Sequence, residues 1–398
     1  MDKTSDNNLL ATELVKRCNP GLTDFGTGSV IAMSSQCLRS AKQATECQIC
    51  IEACPVDAIT ATVLQRPIVT RDCLKCGYCI SLCPTNAIAA TTLTHQQLIR
   101  VLLQATLRVE HLAITCSRSF ALLRLESESS DPEAAQAALT ILKQAEVSEN
   151  LFVVPCLAIL SSELWFTALN EIGVTSLNHV SVYLPPGQCD LCPVNCKDGV
   201  VDTFADSIDR AERWSNQSVS IINSPEDVPQ YQKPSVRDYL VRESEADRRE
   251  AFTGLYGELK RTLDDSNRTG NRSADEAILI RARRQTLSRT LLAEDLQNTF
   301  SGSKKPILSS HRQALVEAIG RNPANASSVT QLVSQTDSDA CDACGTCVEA
   351  CALKARSIEN GVVYADPLYC LGCSACIQAC PQKACSFSLI SGETFLRV

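Results

Sequence analysis

The sequence predicts a multi-domain α+β fold with a cysteine-rich module near each end, a small central parallel α/β domain and a helical connecting region. Three observations predict this fold. A cysteine-rich segment occurs four times, as one pair within residues 36–92 and one pair within residues 337–398. Apolar runs alternate with helical patterns over residues 96–200, which is typical of a parallel sheet. Residues 201–336 are charged and helix-forming, and residues 1–35 form a polar N-terminal extension.

Cysteine is the most unusual part of the composition, with 23 of 398 residues. Such a chain holds disulfides, zinc sites or iron–sulfur clusters. Disulfide frameworks are typical of small secreted domains that follow a signal peptide. Residues 1–36 contain neither an apolar core nor a small-residue cleavage site, and no run of 18 apolar residues predicts a membrane span. We therefore expect a reduced, cytoplasmic compartment, which excludes disulfides.

The charge and the motifs exclude several function classes. The formal net charge of −8 argues against a nucleic-acid partner, because phosphate binding needs a basic face. No zinc-protease, serine-hydrolase, Walker or dinucleotide-binding motif is present. The histidines are not paired at metal-binding spacing; they are His95, His111, His179 and His311. No catalytic residue is predicted.

Three of the four repeats have the complete spacing C-x2-C-x2-C-x3-C, and the first repeat has it without its first cysteine; proline follows the last cysteine in three of the four. This spacing is highly specific for paired [4Fe–4S] clusters: three cysteines on one loop bind one cluster, and the fourth binds its neighbour. Zinc ribbons lack the triple loop and the crossed ligand. The crossed rule gives three complete ligand sets, named site B (Cys54, Cys73, Cys76, Cys79), site D (Cys341, Cys344, Cys347, Cys380) and site E (Cys351, Cys370, Cys373, Cys376).

The fourth set lacks a cysteine at its expected first position, Ala44. Cys37 is the nearest upstream candidate, and Cys18 is the alternative. With Cys37 the ligands are those of site A (Cys37, Cys47, Cys50, Cys83). Ala352 replaces the usual proline without removing a ligand. Cys385 aligns with Ile88 and is expected to be an apolar filler.

On these motifs, residues 36–92 and 338–390 resemble the 2[4Fe–4S] ferredoxins, over about a quarter of the chain. The resemblance implies ferredoxin-like dicluster modules, each with two small hairpins and two short helices, that pass electrons singly between clusters. The hairpins are expected between Ile59 and Val69 and between Ile358 and Tyr364. The latter contains Asn360-Gly361, a type I′ turn signal.

Five cysteines outside the repeats follow the predicted strands His111–Thr115, Leu151–Val154 and Val180–Leu184. The carboxyl ends of parallel strands share one edge, where ligands bind. We therefore predict a fifth, central iron–sulfur cluster at site C (Cys116, Cys156, Cys189, Cys192), with Cys196 as a reserve ligand. The alternative is that Cys116 and Cys156 are inert buried residues.

Val154-Pro155-Cys156 and Pro186-Gly187-Gln188-Cys189 resemble the methanogen-type hydrogenase delta-subunit domain. That family holds a [2Fe–2S] cluster and links hydrogenases to heterodisulfide reductases. Its cysteine before the Pro-Gly turn is missing, because Leu184 and Pro185 stand there. The nuclearity of the central cluster therefore stays open.

These features predict an iron–sulfur electron-transfer subunit of an anaerobic oxidoreductase complex. Four [4Fe–4S] clusters and the central cluster would relay electrons to redox partner proteins, with no nucleic acid and no membrane span involved. The alternative is a redox enzyme whose central cysteines reduce a disulfide or sulfur compound. A cluster-based redox sensor is a third reading, although no nucleic-acid-binding motif accompanies the clusters.

Overall fold

The computed structural model describes most of the chain outside its N-terminal segment and a long connecting segment. The described ranges are residues 30–32, 36–39, 47–61, 67–90, most of 98–140, 151–175, 177–195, 199–224 and 308–397, with the single residues 197, 227 and 306. Within these ranges no helix combines the length and apolar character needed to cross a membrane.

The N-terminal module consists of short elements between cysteine loops. Its elements are β1 (Val30–Ala32), α1 (Ile49–Glu52), β2 (Ile59–Ala61), β3 (Pro67–Val69), α2 (Tyr78–Leu82) and β4 (Ile88–Ala90). Strands β2 and β3 form the predicted antiparallel hairpin, and β1 pairs with β4. The apolar side chains of Ile59, Ile80 and Ile88 are buried together with cysteines, so cysteines that the spacing predicts as ligands belong to the core of the module.

The central domain is a four-stranded parallel sheet with helices between its strands. Its elements are β5 (His111–Cys116), α3 (Ser117–Ser127), β6 (Leu151–Val154), α4 (Ser162–Leu169), β7 (His179–Tyr183), α5 (Val200–Ser215) and β8 (Val219–Ile222). The strand order is β6-β5-β7-β8, and every neighbouring pair is parallel. The three predicted strands are confirmed, and their continuous apolar runs are buried because helices cover the sheet.

The region 201–336, predicted to hold helices and linkers, also contains two strands within its described residues. Strand β8 adds a fourth strand to the central sheet, and residues 330–336 form a strand of the C-terminal module. Strand β8 lies at the sheet edge, where Ile221 is 59% exposed. Its pattern is therefore not the continuous apolar run that marks a buried parallel strand.

The C-terminal module repeats the N-terminal plan and adds a longer strand pair. Its elements are α6 (Ser310–Arg321), β9 (Thr330–Thr336), α7 (Thr346–Glu349), β10 (Arg356–Glu359), β11 (Val362–Ala365), α8 (Ala375–Ala379) and β12 (Cys385–Ser391). Strands β9 and β12 are antiparallel, as are β10 and β11. Asn360 and Gly361 have φ values of +52° and +79°, which confirms the predicted type I′ turn.

Helix α6 packs against α4 and so joins the C-terminal module to the central domain. The joint is polar at the ends of both helices. The buried Asn170 amide donates to the carbonyl oxygens of Ala318 and Asn322 at 2.9 and 3.0 Å, and its own Oδ1 accepts from Asn325 Nδ2 at 2.8 Å. The Ala318 carbonyl also accepts from the Asn322 N–H at 3.1 Å, so Asn170 adds a second hydrogen bond there and caps the Asn322 carbonyl beyond the end of α6.

Candidate iron–sulfur sites

A turn with the same backbone conformation follows the last cysteine of all four repeats. The third residue after that cysteine has a positive φ of 52–56° in every case; these residues are Asp57, Asn86, Lys354 and Lys383. In three repeats the next backbone N–H, that of Ala58, Ala87 or Ala355, donates to the cysteine Sγ at 3.2 Å. Such bonds stabilise a thiolate and tune a bound cluster.

Left-handed backbone also shapes the triple-cysteine loops. Gly77 and Gly345 have φ near +80°, and Ser374 takes the same position with φ of +67°. The aligned residue of the first repeat is Gln48, whose φ is −122°. The first loop therefore differs in conformation as well as in lacking a cysteine at Ala44.

The four cysteines predicted for site A line a single pocket, together with apolar side chains such as Ile51 and Ile88. Cys37 and Cys83 are buried. Arg39 Nη1 donates to the carbonyl oxygen of Cys47 at 3.3 Å, which ties the Cys37 segment to the first loop. The pocket therefore includes the candidate that the irregular spacing left open; Cys18 lies outside the described residues.

The four cysteines predicted for site B line a second pocket, with Val30, Pro55 and Ile59 among the other lining residues. Lys75 N–H donates to Cys73 Sγ at 3.4 Å. Sulfur ligands in an apolar enclosure with N–H donors are the surroundings that an iron–sulfur cluster requires.

Sites D and E have the same construction in the C-terminal module. At site D, Ala343 N–H donates to Cys341 Sγ at 3.4 Å, and Cys344 is exposed. At site E, Ser334 N–H, on β9, donates to Cys370 Sγ at 3.2 Å. Cys385 is buried against Cys347 and Cys376, a location that fits the expected filler.

Site C lies at the carboxyl edge of the parallel sheet. Cys116 ends β5, Cys156 follows β6, and Cys189 and Cys192 lie in the turn after β7. All four line one pocket of about 490 Å³. It lies where neighbouring strands β5 and β7 lead to opposite connections, which is the usual ligand-binding place in such sheets. Cys196 lies outside the described residues.

Two features of site C favour bound negative charge. Cys116 is the N-cap of α3, and its Sγ accepts from Ser119 N–H at 3.4 Å; the helix N-terminus stabilises a thiolate. Arg118 also lines the pocket, and its Nε is buried without a hydrogen-bond partner. A thiolate-bound cluster would offset that charge.

At sites A, B, C and E, every cysteine whose pKa is clearly shifted has a raised pKa. Burial, together with the charges of neighbouring cysteines, raises the pKa of Cys50 to about 12 and those of Cys76, Cys189 and Cys373 to about 11. Burial also raises the pKa of Cys156 well above its usual value. Binding of iron at these sites must therefore displace protons.

Within the described ranges, no three His, Cys, Asp or Glu side chains converge closely enough to hold a single metal ion. A [4Fe–4S] cluster differs from a single ion because each cysteine binds a different iron, which spaces the ligands more widely. The residues at sites A, B and C fit that wider arrangement, since each set of four encloses its own pocket.

The sites of each terminal module are neighbours. Cys347 of site D and Cys376 of site E lie in one buried cluster with Cys385. In the N-terminal module, the buried cysteines of sites A and B share one hydrophobic cluster; they are Cys37, Cys83, Cys54 and Cys79.

Contacts also join the modules to each other and to the central domain. Buried Leu38, Ala352 and Ala375 form a cluster against which Cys47 of site A and Cys373 of site E pack. At the other side of the N-terminal module, Ser81 Oγ donates to the carbonyl oxygen of Ala158 at 2.5 Å. Cys76 of site B and Cys116 and Cys156 of site C pack against the same hydrophobic core. The contacts therefore link the sites in the order D–E–A–B–C.

Besides Arg39, three further arginines near the sites were not predicted. Arg118 lines site C, Arg312 Nη2 donates to the Cys370 carbonyl at 2.7 Å, and Arg356 Nη1 donates to Cys376 Sγ at 3.3 Å. Only Arg356 has a signal in the sequence, because it stands where the aligned N-terminal repeat has Ile59. Arg312 is 58 residues from its partner, so no local motif includes it.

Two family models, each described as a 4Fe-4S dicluster domain, match the chain at residues 44–88 and 334–381. No curated protein and no solved structure matches it. The matched ranges contain the cysteine loops of the two terminal modules, which the contacts above bring into pairs. The chain therefore carries two ferredoxin-like 4Fe-4S dicluster domains, one on each side of a parallel α/β sheet in the sequence.

Proposed function

We propose that this protein is an electron-transfer subunit that relays single electrons through [4Fe–4S] clusters at sites A, B, D and E and a fifth iron–sulfur cluster at site C. Its partners are redox proteins of a cytoplasmic, anaerobic oxidoreductase complex. The observation that carries the proposal is the series of contacts in the order D–E–A–B–C. A simple soluble carrier needs one dicluster module, whereas a connecting subunit needs a continuous path.

Each bound cluster would carry one electron at a time. The chain's own residues hold the sulfur ligands, donate backbone N–H groups to them and keep water away with buried apolar side chains. Tyr78 helps to fix the junction of sites B and C, because its hydroxyl donates to the Gly199 carbonyl at 3.1 Å and lies 2.8 Å from Thr203 Oγ1.

The two ends of the path are the sites through which partners exchange electrons. Cys344 of site D is exposed, and Cys189 and Cys192 of site C are partly exposed. Leu191, between the last two, is 74% exposed. Partner proteins can therefore approach either end closely, while sites A, B and E carry electrons between them.

The central domain supports the fifth cluster by its resemblance to the hydrogenase delta-subunit domain and by the pocket that its four cysteines line. Cys192 takes the place of the ligand that this family has before its Pro-Gly turn. Arg118 offsets the negative charge that four thiolates bring into the pocket. Either a [2Fe–2S] or a [4Fe–4S] cluster agrees with this ligand set.

The test is the iron and acid-labile sulfide content of anaerobically purified protein, with EPR of the reduced form. About twenty irons per chain, falling to about sixteen in Cys156→Ala, are expected for five cubane clusters. About eighteen falling to about sixteen would identify a [2Fe–2S] cluster. Cys385→Ala is the matched control, because Cys385 is a buried cysteine that no site uses, and its iron content should equal that of the wild type.

Two results would contradict the proposal. About sixteen irons in both wild type and Cys156→Ala would remove the fifth cluster, and a wild type with clearly fewer than sixteen would remove the four-cluster relay. A native extract in which the protein occurs alone, as a monomer, would remove its assignment to a complex.

A second function is favoured by the charge and the partial exposure of the site C pocket. With Arg118 in its wall and with Cys189 and Cys192 partly exposed, it could admit a small disulfide or sulfur compound, whose reduction consumes two electrons and two protons. In that case the substrate should alter the EPR signal that Cys156→Ala removes. An unchanged signal with small disulfides and polysulfide would leave electron relay alone.

A further inference from the structure

Arg356 occupies a position that is apolar in the N-terminal module. It is the fifth residue after Cys351, and the residue in the same position after Cys54 is Ile59. Both side chains are buried, with Arg356 only 4% and Ile59 only 3% exposed. The fold therefore has room for an aliphatic side chain here, and the guanidinium of Arg356 is not required by the repeated architecture.

The guanidinium is fixed in place by strand β9. Arg356 Nη1 lies 2.5 Å from Ser334 Oγ, and Nη2 donates to Thr336 Oγ1. From this position Nη1 also donates to Cys376 Sγ at 3.3 Å. Ser334 Oγ itself lies 3.1 Å from the same sulfur. Arg356 is therefore aimed at a single ligand of site E.

The positive charge of Arg356 lacks a carboxylate partner in the part of the chain that the structure describes. Among the described residues no Asp or Glu oxygen forms an ion pair with it, and its Nε is buried without a hydrogen-bond partner. A buried charge is costly unless an opposite charge compensates it. A cluster bound at site E would supply that opposite charge at Cys376, whose Sγ accepts from Nη1 of Arg356.

A second cation borders the same site. Arg312 is 1% exposed, donates from Nη2 to the Cys370 carbonyl and lies over the Phe395 ring at 4.6 Å. Two buried guanidinium groups thus face the ligands of site E. At site B, the aligned position holds Ile59, and Ile59 lines the pocket.

We propose that Arg356 raises the reduction potential of the cluster at site E, so that this site retains electrons within the relay. The inference rests on the proposed function, because it requires a [4Fe–4S] cluster on Cys351, Cys370, Cys373 and Cys376. Reduction adds one electron, and hence one negative charge, to a centre that its four thiolates already make anionic. A fixed cation and a hydrogen bond at Cys376 Sγ stabilise that added charge.

The test is a potentiometric titration of the holoprotein, followed by EPR, for wild type, Arg356→Ile and Arg356→Lys. Arg356→Ile installs the residue of the N-terminal repeat. We expect it to shift the reduction equilibrium of one cluster at least tenfold toward the oxidised form, which is 59 mV for a one-electron couple. Arg356→Lys keeps the charge and should recover most of that shift. Cys373→Ser identifies the signal that belongs to site E.

Arg213→Met is the control for loss of a positive charge, because Arg213 is exposed and paired with Asp209 on α5. It should leave all potentials unchanged.

A site E potential that is unchanged in Arg356→Ile, with full iron content, would overturn the inference while leaving the relay intact. The site E cluster could also be lost in Arg356→Ile and retained, at the wild-type potential, in Arg356→Lys. That result would support the need for a positive charge at this position. Loss in both variants, with Ser334→Ala also leaving the potential unchanged, would overturn the inference in favour of a structural role. Absence of a site E cluster in the wild type would instead overturn the proposed function.

Discussion

Gly77 lies directly against Ile159, at the junction between the N-terminal module and the central domain. A Cβ atom on Gly77 would lie 2.4 Å from Ile159 Cδ1 and 2.6 Å from Cγ1. Gly77 is next to Cys76 of site B, and Ile159 follows Cys156 of site C by three residues. The close approach of these two residues therefore sets the separation of the two sites.

We expect Gly77→Ala to weaken this junction. The φ of +81° costs an alanine about 1–2 kcal/mol, and overpacking against Ile159 adds about 1–3 kcal/mol. The expected results are a lower thermal midpoint of the holoprotein and slower electron transfer between sites B and C, measured by rapid-freeze EPR after rapid reduction.

Gly173→Ala is a matched control, because Gly173 has the same φ of +81° and no atom within 4 Å of its added Cβ. It should lose only the stability due to backbone strain. Equal losses of stability and unchanged transfer rates in both variants would contradict a role for the Gly77–Ile159 contact.

The fold was predictable from the sequence wherever a local pattern of apolar residues indicates that an element is buried. Strands β5, β6 and β7 were predictable because their apolar runs are covered on both faces. Strand β8 was not, since its edge position leaves Ile221 exposed and breaks the pattern. Strand β9 was missed because the polar sequence Thr330–Thr336 contains only two apolar residues.

The residues of the candidate sites were likewise predictable only where they belong to a local pattern. Spacing within one loop is a local property, so the triple-cysteine sets could be read from the chain. Cys37 depends on the path of a longer loop, which spacing does not determine. Arg312 approaches Cys370 only because α6 packs beside the C-terminal module, and such tertiary neighbours leave no local pattern.

The Glu163–His311 pair is expected to make stability depend on acid pH. Burial alone would raise the pKa of Glu163, but His311, whose Nδ1 lies 3.4 Å from Oε2, lowers it to about 2, with help from Ser161. Because the unfolded value is higher, near 4.5, the pair stabilises the fold fully above about pH 4.5. That contribution, on the order of 2–3 kcal/mol, is lost as the pH falls toward 2.

Glu163→Gln should therefore lower the thermal midpoint at neutral pH, and its difference from the wild type should narrow below about pH 4.5. Iron content is measured at each pH, so that only samples with equal cluster loading are compared. Arg312 also faces Glu163 and keeps its charge throughout. Glu317→Gln, on the exposed face of α6, is the control; a difference for Glu163→Gln that does not change with pH would contradict the assignment.

Asn170 is expected to be the main polar tie between α4 and α6. Its amide makes three hydrogen bonds to the end of α6 and the turn that follows, and the residue is 1% exposed. Asn170→Ala would remove the partner of the Asn322 carbonyl and of the Asn325 amide, at about 1–3 kcal/mol for each group that water cannot reach, while the Ala318 carbonyl keeps its bond from Asn322 N–H. The expected result is a clearly lower thermal midpoint and faster amide exchange in α6, whereas Asn178→Ala, at an exposed position, should change neither; unchanged exchange in α6 would contradict this role.

Cys37 and Cys18 can be distinguished as the fourth ligand of site A by removing each in turn. Cys37 lines the site A pocket and is buried beside Cys47 and Cys83, so Cys37→Ala should lower the iron content by about four per chain or leave a three-iron cluster with a distinct EPR signal of its oxidised form. Cys18→Ala should retain full iron content and unchanged spectra.

The contacts place site A between sites E and B. Cys37→Ala should therefore also slow electron transfer from the C-terminal module to site B. This transfer is measured by following the reduction of each EPR signal after rapid mixing with a reductant. Loss of iron in Cys18→Ala, with Cys37→Ala unaffected, would reverse the assignment and move the fourth ligand into the N-terminal extension.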